Sequence, residues 1–408
     1  MSEPPMADVP SQRVAVFQVI ESLAAGGAER MAVEIANRLD PTRFASHIVC
    51  THGDGPLSAL VEPHVAVYHL RRYSRTDFSS IRRFAQYASA ANVQIVHSHG
   101  HFTAYFCGLV KLLTGARWRH VFHDHNVLPG QGLLLSLGDR LFLRKLDAYL
   151  VVNEQLRERA VRLGLVRQSR CFRVPNGIPI RHRLEPRTPR ADGPPTIVQV
   201  ANLREVKDQL TAVRVAAQLK RRNLAFRWLM IGSTTSAPDY AARVVEEARE
   251  LGVLDRVEFP GARRDMEDLL FAATIGVLSS RAEGLPLALL EYLAAGLPVV
   301  ATDVGYCRQI VGEAEAGFVV PPGDAEGMAD RIAWLLEHPA AAAEMGSRGR
   351  ELVLSRYTIE HTVEAVERTY ELLITGASKS PQPFPPAREE RSLRGQTPPH
   401  ARQSVPPP

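Results

Sequence analysis

The chain has 408 residues, of which 45% are hydrophobic and 23% charged, and its formal net charge is +5. This length is too great for a single hydrophobic core and favours two domains. The modest positive charge suits an anionic small substrate or an anionic membrane face and is too weak to indicate a nucleic-acid partner.

The sequence carries no signal of secretion or of a membrane span. The first residues lack an apolar signal core, and no apolar run approaches the roughly 20 residues needed to cross a bilayer. The four cysteines are scattered without a Cys-x-x-Cys pair, so they predict neither a disulfide framework nor a cysteine zinc site. We therefore expect a cytoplasmic protein, soluble or peripherally attached to the inner face of the membrane.

Residues 12–180 alternate strand-like and helical patterns. The strand-like runs are VAVFQVI, ASHIVC, VQIVHSH, WRHVFH and DAYLVVN. Such alternation predicts an α/β domain with a parallel sheet. After the proline-rich segment 181–195, a second series spans 195–356 with TIVQVAN, RWLMIGS, RVEFPG, TIGVLSS and LPVVATD. The chain thus predicts two Rossmann-like domains whose strand ends face an interdomain cleft, where ligands bind.

The end of the chain divides into a helix and a tail. Residues 357–374 form an amphipathic helical pattern. Residues 377–408 are rich in proline and nearly devoid of aliphatic side chains, so they cannot bury enough surface to offset their ordering entropy. We predict that this tail is disordered and has no catalytic role.

The first predicted strand leads into Gly26 and Gly27, directly before a helix over residues 28–39. Two glycines let the backbone approach a ligand at a helix start, where free amides favour an anion. An ordinary flexible loop is the alternative. The pattern lacks the G-x-G-x-x-G of a dinucleotide fingerprint, which weakens a dehydrogenase interpretation.

A basic segment follows in the same domain. Arginines interleave with apolar side chains at Arg71, Arg72, Tyr73, Arg75, Phe78, Ile81, Arg82, Arg83 and Phe84. Such a surface can meet anionic lipid, with each cation contributing about 1 kcal/mol. A solvated loop and helix face explains it equally simply, so membrane contact is a hypothesis.

Histidines cluster at two strand ends, in VHSHGHF and VFHDHN. A period of two points alternate members to the same side of a strand. Three interpretations remain open: hydrogen-bonded strand-end histidines, a sugar site, or a metal site. A metal site also needs partners that orient its histidines, and Asp124 alone offers little of that support. The cluster comprises His97, His99, His101, His123 and His125.

Cations follow the first strand of the second domain. Arg204 and Lys207 lie in the loop NLREVKD, where they can meet a diphosphate and stabilise a leaving group. A solvated charge pair is the alternative.

Two carboxylates lie eight residues apart around a loop-to-helix turn in RAEGLPLALLEYLAAGLPVVAT. Pro286 suits the first turn of a helix and Gly296 its end, so Glu283 lies in the loop and Glu291 inside the helix. Carboxylates accept hydrogen bonds from paired hydroxyls, and free amides at the helix start favour a diphosphate. Solvated helix-end charges are the simpler alternative.

This segment resembles the retaining glycosyltransferases of family 4, which have the GT-B fold and a signature of two glutamates separated by seven residues. The resemblance covers nearly everything except the tail. It implies an enzyme that transfers a sugar from a nucleotide diphosphate sugar to a glycan or lipid-linked acceptor. The acceptor-side domain would be the first and the donor-binding domain the second, with the last helix crossing back to the first.

The resemblance also implies roles for individual residues. Glu283 would sit by the donor sugar together with His123, and His99 is a weaker candidate of that kind. Glu291 would bind ribose. The backbone near Leu285 and Pro286, and the Gly26–Gly27 loop, would face the sugar and phosphates. Lys207 aligns with the family's lysine in G-R-L-x-x-x-K.

Other implied positions match less well. Asn202 replaces the usual arginine, and we expect Arg204 to substitute for it. The loop with Arg263 and Met266 would hold the nucleobase through backbone groups. Tyr306 and Gln309 replace a glycine and a glutamate, whereas Asn176 lies in an architectural PNG turn.

The chain contains no Asp-x-Asp, the metal-diphosphate clamp of the other glycosyltransferase fold, so we expect no metal and no other cofactor. A sugar-nucleotide epimerase of the same architecture and a non-catalytic nucleotide-sugar-binding partner subunit are the alternative functions.

Overall fold

The structure is a computed structural model that describes residues 13–72, 74, 77–125, 142–180 and 193–376. Several predictions lie outside the described residues: those on Tyr73, Arg75, most of the linker after residue 180, and the tail from residue 377. The described residues form two parallel sheets flanked by helices.

The first sheet has seven parallel strands in the order β3-β2-β1-β4-β5-β6-β7. The strands are β1 Val14–Ser22, β2 Phe44–Gly53, β3 Ala66–His69, β4 Val93–His99, β5 Arg119–Asp124, β6 Ala148–Val151 and β7 Cys171–Arg173. The helices are α1 Gly27–Arg38, α2 Phe78–Ala90, α3 His101–Thr114 and α4 Glu154–Arg162. The sequence patterns missed β3 and β7 because these are short, partly exposed strands at the two edges of the sheet, so they lack the continuous apolar run of the central strands.

The second sheet has six parallel strands in the order β10-β9-β8-β11-β12-β13. The strands are β8 Thr196–Val200, β9 Arg227–Ile231, β10 Val257–Gly261, β11 Ile275–Leu278, β12 Val299–Thr302 and β13 Gly317–Val320. The helices are α5 Gln209–Arg221, α6 Pro238–Glu250, α7 Met266–Ala272, α8 Leu287–Ala294, α9 Cys307–Ala314, α10 Ala325–Glu337 and α11 Pro339–Arg356.

The last described helix, α12 (Ile359–Thr375), packs against the first sheet although it follows the second in sequence. Val366 and Tyr370 are fully buried in one core with Val16 and Ile35. The apolar face of this helix is therefore buried against the first sheet, so α12 packs on the same domain as β1.

The carboxyl ends of the two sheets meet. Asn176, after β7, donates from Nδ2 to the carbonyl of Leu285, after β11, at 2.9 Å. The loops that carry the predicted site residues therefore lie where the two sheets face each other. Among the helices of the described ranges, none combines the length and the apolarity that a bilayer span requires.

Candidate functional site

Glu283 and Glu291 are each held by one cation. Glu283 Oε1 accepts from Lys207 Nζ and from Ser280 Oγ, both at 2.6 Å. Glu291 Oε1 accepts from Arg30 Nη1 at 2.5 Å. Within the described part of the chain, no residue donates a hydrogen bond to the Oε2 atom of either glutamate. Each carboxylate therefore keeps one oxygen available for a ligand.

The backbone around Glu283 is packed too closely for side chains at two positions. A Cβ on Gly284 would lie 2.4 Å from the carbonyl oxygen of His125, and one on Gly305 would lie 2.2 Å from that of Glu283. Gly305 also has φ of +54°. The buried Tyr306, where the resembled family has a glycine, donates its backbone N–H to Gly284 at 3.0 Å. The loop is thus fixed from both sides.

Leu285 and Pro286 form the start of α8. Pro286 is the N-cap residue with an extended backbone, and the Leu285 side chain is buried in the core. These two residues can therefore serve a ligand through the main chain only. The first amides of α8 have no intrahelical acceptor, so the helix presents its positive end beside the glutamates.

Arg204 and Lys207 point to different places. Lys207 reaches Glu283, whereas Arg204 is exposed with its Nε 3.4 Å from Ser236 Oγ. Next to Lys207, Asp208 has φ of +48° and accepts two hydrogen bonds from Arg281 at 3.0 and 3.1 Å. This bidentate pair ties the lysine loop to the loop that carries Glu283.

Asn202 links the two halves of the site. Its Nδ2 donates to the carbonyl of Ala25 at 3.0 Å, so it holds the loop that contains Gly26 and Gly27. A Cβ on Gly27 would lie 3.9 Å from Leu287 at the start of α8, which is ordinary contact. The Gly26–Gly27 loop therefore lies against both the lysine loop and α8.

Four histidines form a buried stack at the ends of β4 and β5. Ring centroids are 4.3 Å apart between His97 and His99, and 4.1 Å apart between His123 and His125. Burial, helped by the neighbouring imidazoles, lowers the pKa of His97, His99 and His123 well below the usual value. Burial lowers the pKa of His125 to about 4, although the hydrogen bond that its ring donates to Asn176 acts to raise it. All four rings are therefore neutral at pH 7.

A hydrogen-bonded chain runs from this stack to the loop before α8. His99 Nδ1 lies 2.9 Å from His125 Nε2, and His125 Nδ1 lies 3.0 Å from Asn176 Oδ1. Since a neutral imidazole has one N–H and the Asn176 oxygen only accepts, His125 donates from Nδ1 and accepts from His99. Asn176 in turn donates to Leu285. The stack therefore supports the carbonyl of Leu285.

The other end of this hydrogen-bonded chain reaches helix α12. The Gln18 amide lies 2.8 Å from His99 Nε2 and 2.9 Å from the Tyr370 hydroxyl. The structure places the Gln18 amide oxygen against His99 Nε2 and the amide nitrogen against Tyr370. Because His99 Nε2 has no proton in this arrangement, two acceptors would meet there, so we assign the reversed amide, in which the NH₂ group faces His99 and the oxygen faces Tyr370. All donors in the chain then point from α12 toward the loop before α8.

The structure separates the candidate histidines by depth. His123 is fully buried, with Nε2 3.3 Å from the carbonyl of Val174. His125, two residues later in the sequence, is nearer the second sheet. Its backbone carbonyl packs against Gly284, and its ring is hydrogen-bonded to Asn176. His125 is thus the imidazole beside the Glu283 loop, and His99 lies behind it.

A resident metal fits this cluster poorly. Among the described residues, ligand atoms of His97, His99 and His123 lie within 4.8 Å of one another. However, both nitrogens of His99 already have hydrogen-bond partners, and its ring stacks on that of His97. Imidazole lone pairs lie in the ring plane, so stacked rings cannot direct them at one ion.

Arg263 and Met266 lie after β10. Arg263 is exposed and forms a bidentate pair with Asp265 at 2.8 and 2.6 Å, while Met266 begins α7 and packs against the core. Both side chains thus have partners within the protein, and the role of this loop in holding a nucleobase through backbone groups stays a prediction.

Comparisons with known proteins decide the family. The model described as Glycosyltransferase Family 4 matches residues 25–182, and the model described as Glycosyl transferases group 1 matches residues 181–352. Together they span every strand except β1, and every glycine, histidine, lysine and glutamate motif described above. The chain belongs to the family 4, group 1 glycosyltransferases. This glycosyltransferase is an enzyme of EC 2.4 type in glycoconjugate biosynthesis.

Relatives and solved structures agree with this assignment. The chain is 25% identical to an N-acetyl-alpha-D-glucosaminyl L-malate synthase of Bacillus anthracis over 76% of this chain and 82% of that protein. A glycosyltransferase from Rickettsia africae aligns with a TM-score of 0.76 at 17% identity, covering 90% of this chain and all of that one. The Anabaena protein HepE in complex with UDP and glucose aligns with a TM-score of 0.73 at 19% identity, covering 87% and 99%. The predicted GT-B fold is confirmed.

Sequence reasoning missed part of this glycosyltransferase's site. Arg30 received no role, although it lies only three residues after Gly27. His125 was passed over for His123, and Asn176 was assigned to architecture alone. The motifs indicate which loops meet, but not which side chains span the gap between them.

Proposed function

We propose that this glycosyltransferase moves a sugar from a nucleotide diphosphate sugar to a glycan or lipid-linked acceptor, with retention at the anomeric carbon. The observation that carries the proposal is the pair Glu283 and Glu291, each with one oxygen bound to a cation and the other open. Paired hydroxyls of a ribose and a hexose need such acceptors. HepE has been solved with UDP-glucose, which supports a donor of this class.

The two carboxylates divide the donor between them. Glu291 accepts from the ribose hydroxyls, and Glu283 accepts from hydroxyls of the transferred sugar. The diphosphate lies between, against the first amides of α8 and the Gly26–Gly27 loop. Lys207 supplies positive charge to the leaving diphosphate, and Arg204 adds charge from the same loop.

Neutral histidines complete the sugar side. His125 lies beside the Glu283 loop, with His99 hydrogen-bonded to its ring and His123 stacked on it. Because these imidazoles are neutral, they orient hydroxyls and supply no charge. The loop of Arg263 and Met266 holds the nucleobase through its main chain.

Retention is proposed to proceed by attack on the face that the diphosphate leaves. Glu283 is already bound to Lys207 and Ser280, so we assign it no nucleophilic role. Rate enhancement then comes from positioning and from fixed charges aimed at the leaving group. We further propose that no metal is needed, because Lys207 and the α8 amides supply the charge that a metal would bring.

The acceptor side offers a surface suited to lipid. Helix α3 exposes a stripe of large apolar side chains and has no acidic residue, and Phe78 on α2 is 70% exposed. The exposed Arg117 adds positive charge near the end of this helix, whereas Lys111 is paired with Asp147. We define the α3 face by Phe102, Leu109, Leu112 and Leu113.

The basic segment of residues 71–84, which the sequence predicted as a surface for anionic lipid, contributes less to membrane contact than α3. Phe84 is fully buried in the core, and Arg83 donates to the carbonyl of Leu70 at 2.6 Å. The Arg72 guanidinium lies over the ring of Phe106 at 4.8 Å. These side chains pack inward, so we propose that the α3 face meets an anionic membrane carrying a lipid-linked acceptor.

Liposome sedimentation tests the membrane proposal. We expect co-sedimentation with vesicles of mixed anionic and neutral phospholipid, and its loss when Leu112 and Leu113 are both replaced by glutamate. Exposed Val206, in the second half, provides the control Val206→Glu. Equal sedimentation of wild type with anionic and purely neutral vesicles contradicts the proposal.

Thermal shift tests the donor proposal. Wild type is heated with uridine, guanosine and adenosine diphosphates, each with and without EDTA. A nucleotide at a hundredfold excess over its Kd adds about 2.7 kcal/mol to the free energy of unfolding. We expect one nucleotide to raise the Tm of the wild type, with or without EDTA. The same nucleotide should leave the Tm of Glu291→Ala unchanged.

The exposed Glu337, on α10, supplies the control Glu337→Ala, which keeps the shift. Absence of a shift with every nucleotide contradicts the proposal. With the donor base known, the anomeric configuration of the product, measured by NMR, tests retention. Product analysis without acceptor tests the epimerase alternative, which the family membership disfavours.

A further inference from the structure

Arg30 is a charged residue of the first half that pairs with a glutamate of the motif in the donor-binding half, where Asn176 bonds only to the backbone. It lies on α1, behind the first sheet, and Glu291 lies on α8 of the second sheet, 261 positions later. The distance between Arg30 Nη1 and Glu291 Oε1 is 2.5 Å. This ion pair therefore forms only when the two halves are together.

The pair is partly shielded from solvent. The Glu291 side chain is 15% exposed and that of Arg30 33%. Burial lowers the pKa of Arg30, but the charge of Glu291, its hydrogen bond and the charge of Glu34 together raise it above its usual value. The attraction within a partly buried charge pair is stronger than that within an exposed pair. Removing one partner leaves the other charge partly buried without a counter-charge.

The surroundings hold α1 against α8. Gly27, one turn before Arg30, faces Leu287, and the preceding Ala25 accepts from Asn202. Since these contacts fix the start of α1, the guanidinium approaches Glu291 from one direction only. It occupies Oε1 and leaves Oε2 open.

We propose that Arg30 is a positioning residue for the nucleoside part of the donor, an inference that rests on the proposed function. A carboxylate has about four acceptor positions, and a guanidinium only donates. Arg30 can therefore share Glu291 with the two ribose hydroxyls and does not compete for their protons. By holding Oε1, it fixes the orientation in which Oε2 meets the ribose, and it ties ribose binding to contact between the halves.

The test compares ligands that differ only at the ribose. Calorimetry gives the Kd of the nucleoside diphosphate that binds wild type, and of its 2′,3′-dideoxy analogue, for wild type, Arg30→Met and Arg30→Lys. We expect Arg30→Met to weaken the ribonucleotide about tenfold and the dideoxy analogue less than twofold. Arg30→Lys, which retains a charge, should recover part of the loss.

Arg43→Met is the matched control, because Arg43 pairs with Glu367 and Glu371 of α12, another segment distant in sequence. It should leave both Kd values unchanged. If Arg30→Met only destabilises the fold, it weakens both ligands equally, and that result overturns the proposal. Tighter ribonucleotide binding by Arg30→Met also overturns it, because Arg30 would then compete with the ribose for Glu291. Binding of no nucleoside diphosphate by wild type overturns the proposed function as well, whereas normal wild-type binding with an unaffected Arg30→Met overturns this inference alone.

Discussion

Acid should destabilise the first half of this glycosyltransferase through its histidine stack. His97, His99, His123 and His125 have folded-state pKa values lowered by burial, to about 4 for His125 and well below the usual value for the others. The unfolded chain binds their protons near pH 6.5. Between the folded and unfolded pKa values the unfolded state holds more protons, so stability is full above about pH 6.5 and falls as the pH drops.

The magnitude follows from proton linkage. Lowering the pH from 7.0 to 5.5 costs about 1.2 kcal/mol for each such histidine, or about 5 kcal/mol for the four if they act independently. That loss is comparable to the entire stability of many domains. The stack lies between the first sheet and α12, so the loss should appear in that half.

Urea unfolding at fixed ionic strength measures the effect. Trp118 packs against Phe84 in the core of the first half and reports its transition by fluorescence. We expect His97→Asn with His123→Asn to reduce the pH-dependent loss by about 2.4 kcal/mol, the share of two histidines. Buried His120, whose pKa burial lowers to about 3, adds to the total loss, and His64→Asn, at an exposed position, should leave it unchanged. A free energy of unfolding that changes by less than about 1 kcal/mol between pH 7.0 and 5.5 would refute the reasoning.

Three further substitutions probe other parts of the structure. Lys207→Met should lower kcat about a hundredfold in steady-state assays, because the charge beside the leaving group is lost; an unchanged kcat contradicts its role. Tyr370→Phe removes the hydroxyl 2.6 Å from His97 Nδ1 and 2.9 Å from the Gln18 amide, so urea unfolding should show a loss of about 2 kcal/mol. Gly177→Ala places a Cβ 2.2 Å from the carbonyl of Thr358 and should lower the free energy of unfolding by about 2 kcal/mol or more; a wild-type midpoint would contradict that close approach.

The sequence predicted the main elements of the fold because its strands are buried on both faces. Continuous apolar runs such as VAVFQVI and TIVQVAN became β1 and β8, and the helix predicted to start near residue 28 begins at Gly27. The short strands β3, β7 and β13 were missed. These three are edge strands that are only partly buried, so they lack the continuous apolar run that marked β6, β11 and β12, and their place is set by pairing with one neighbour.

The sequence by itself also determined the family, through local spacing. A loop glutamate, a proline at the helix start and a second glutamate one helix later are constraints that nearby residues impose on one another. Glu283 in the loop and Glu291 in α8 follow from those constraints.

Only the tertiary structure decided which residues complete the site. Arg30 meets Glu291 across 261 positions, and Asn176 meets Leu285 across 109. The depth order of His123 and His125 depends likewise on the Gly284 loop from the other half. These partners are set by how two separately folded sheets dock, and no local pattern in the chain encodes contacts between side chains that distant.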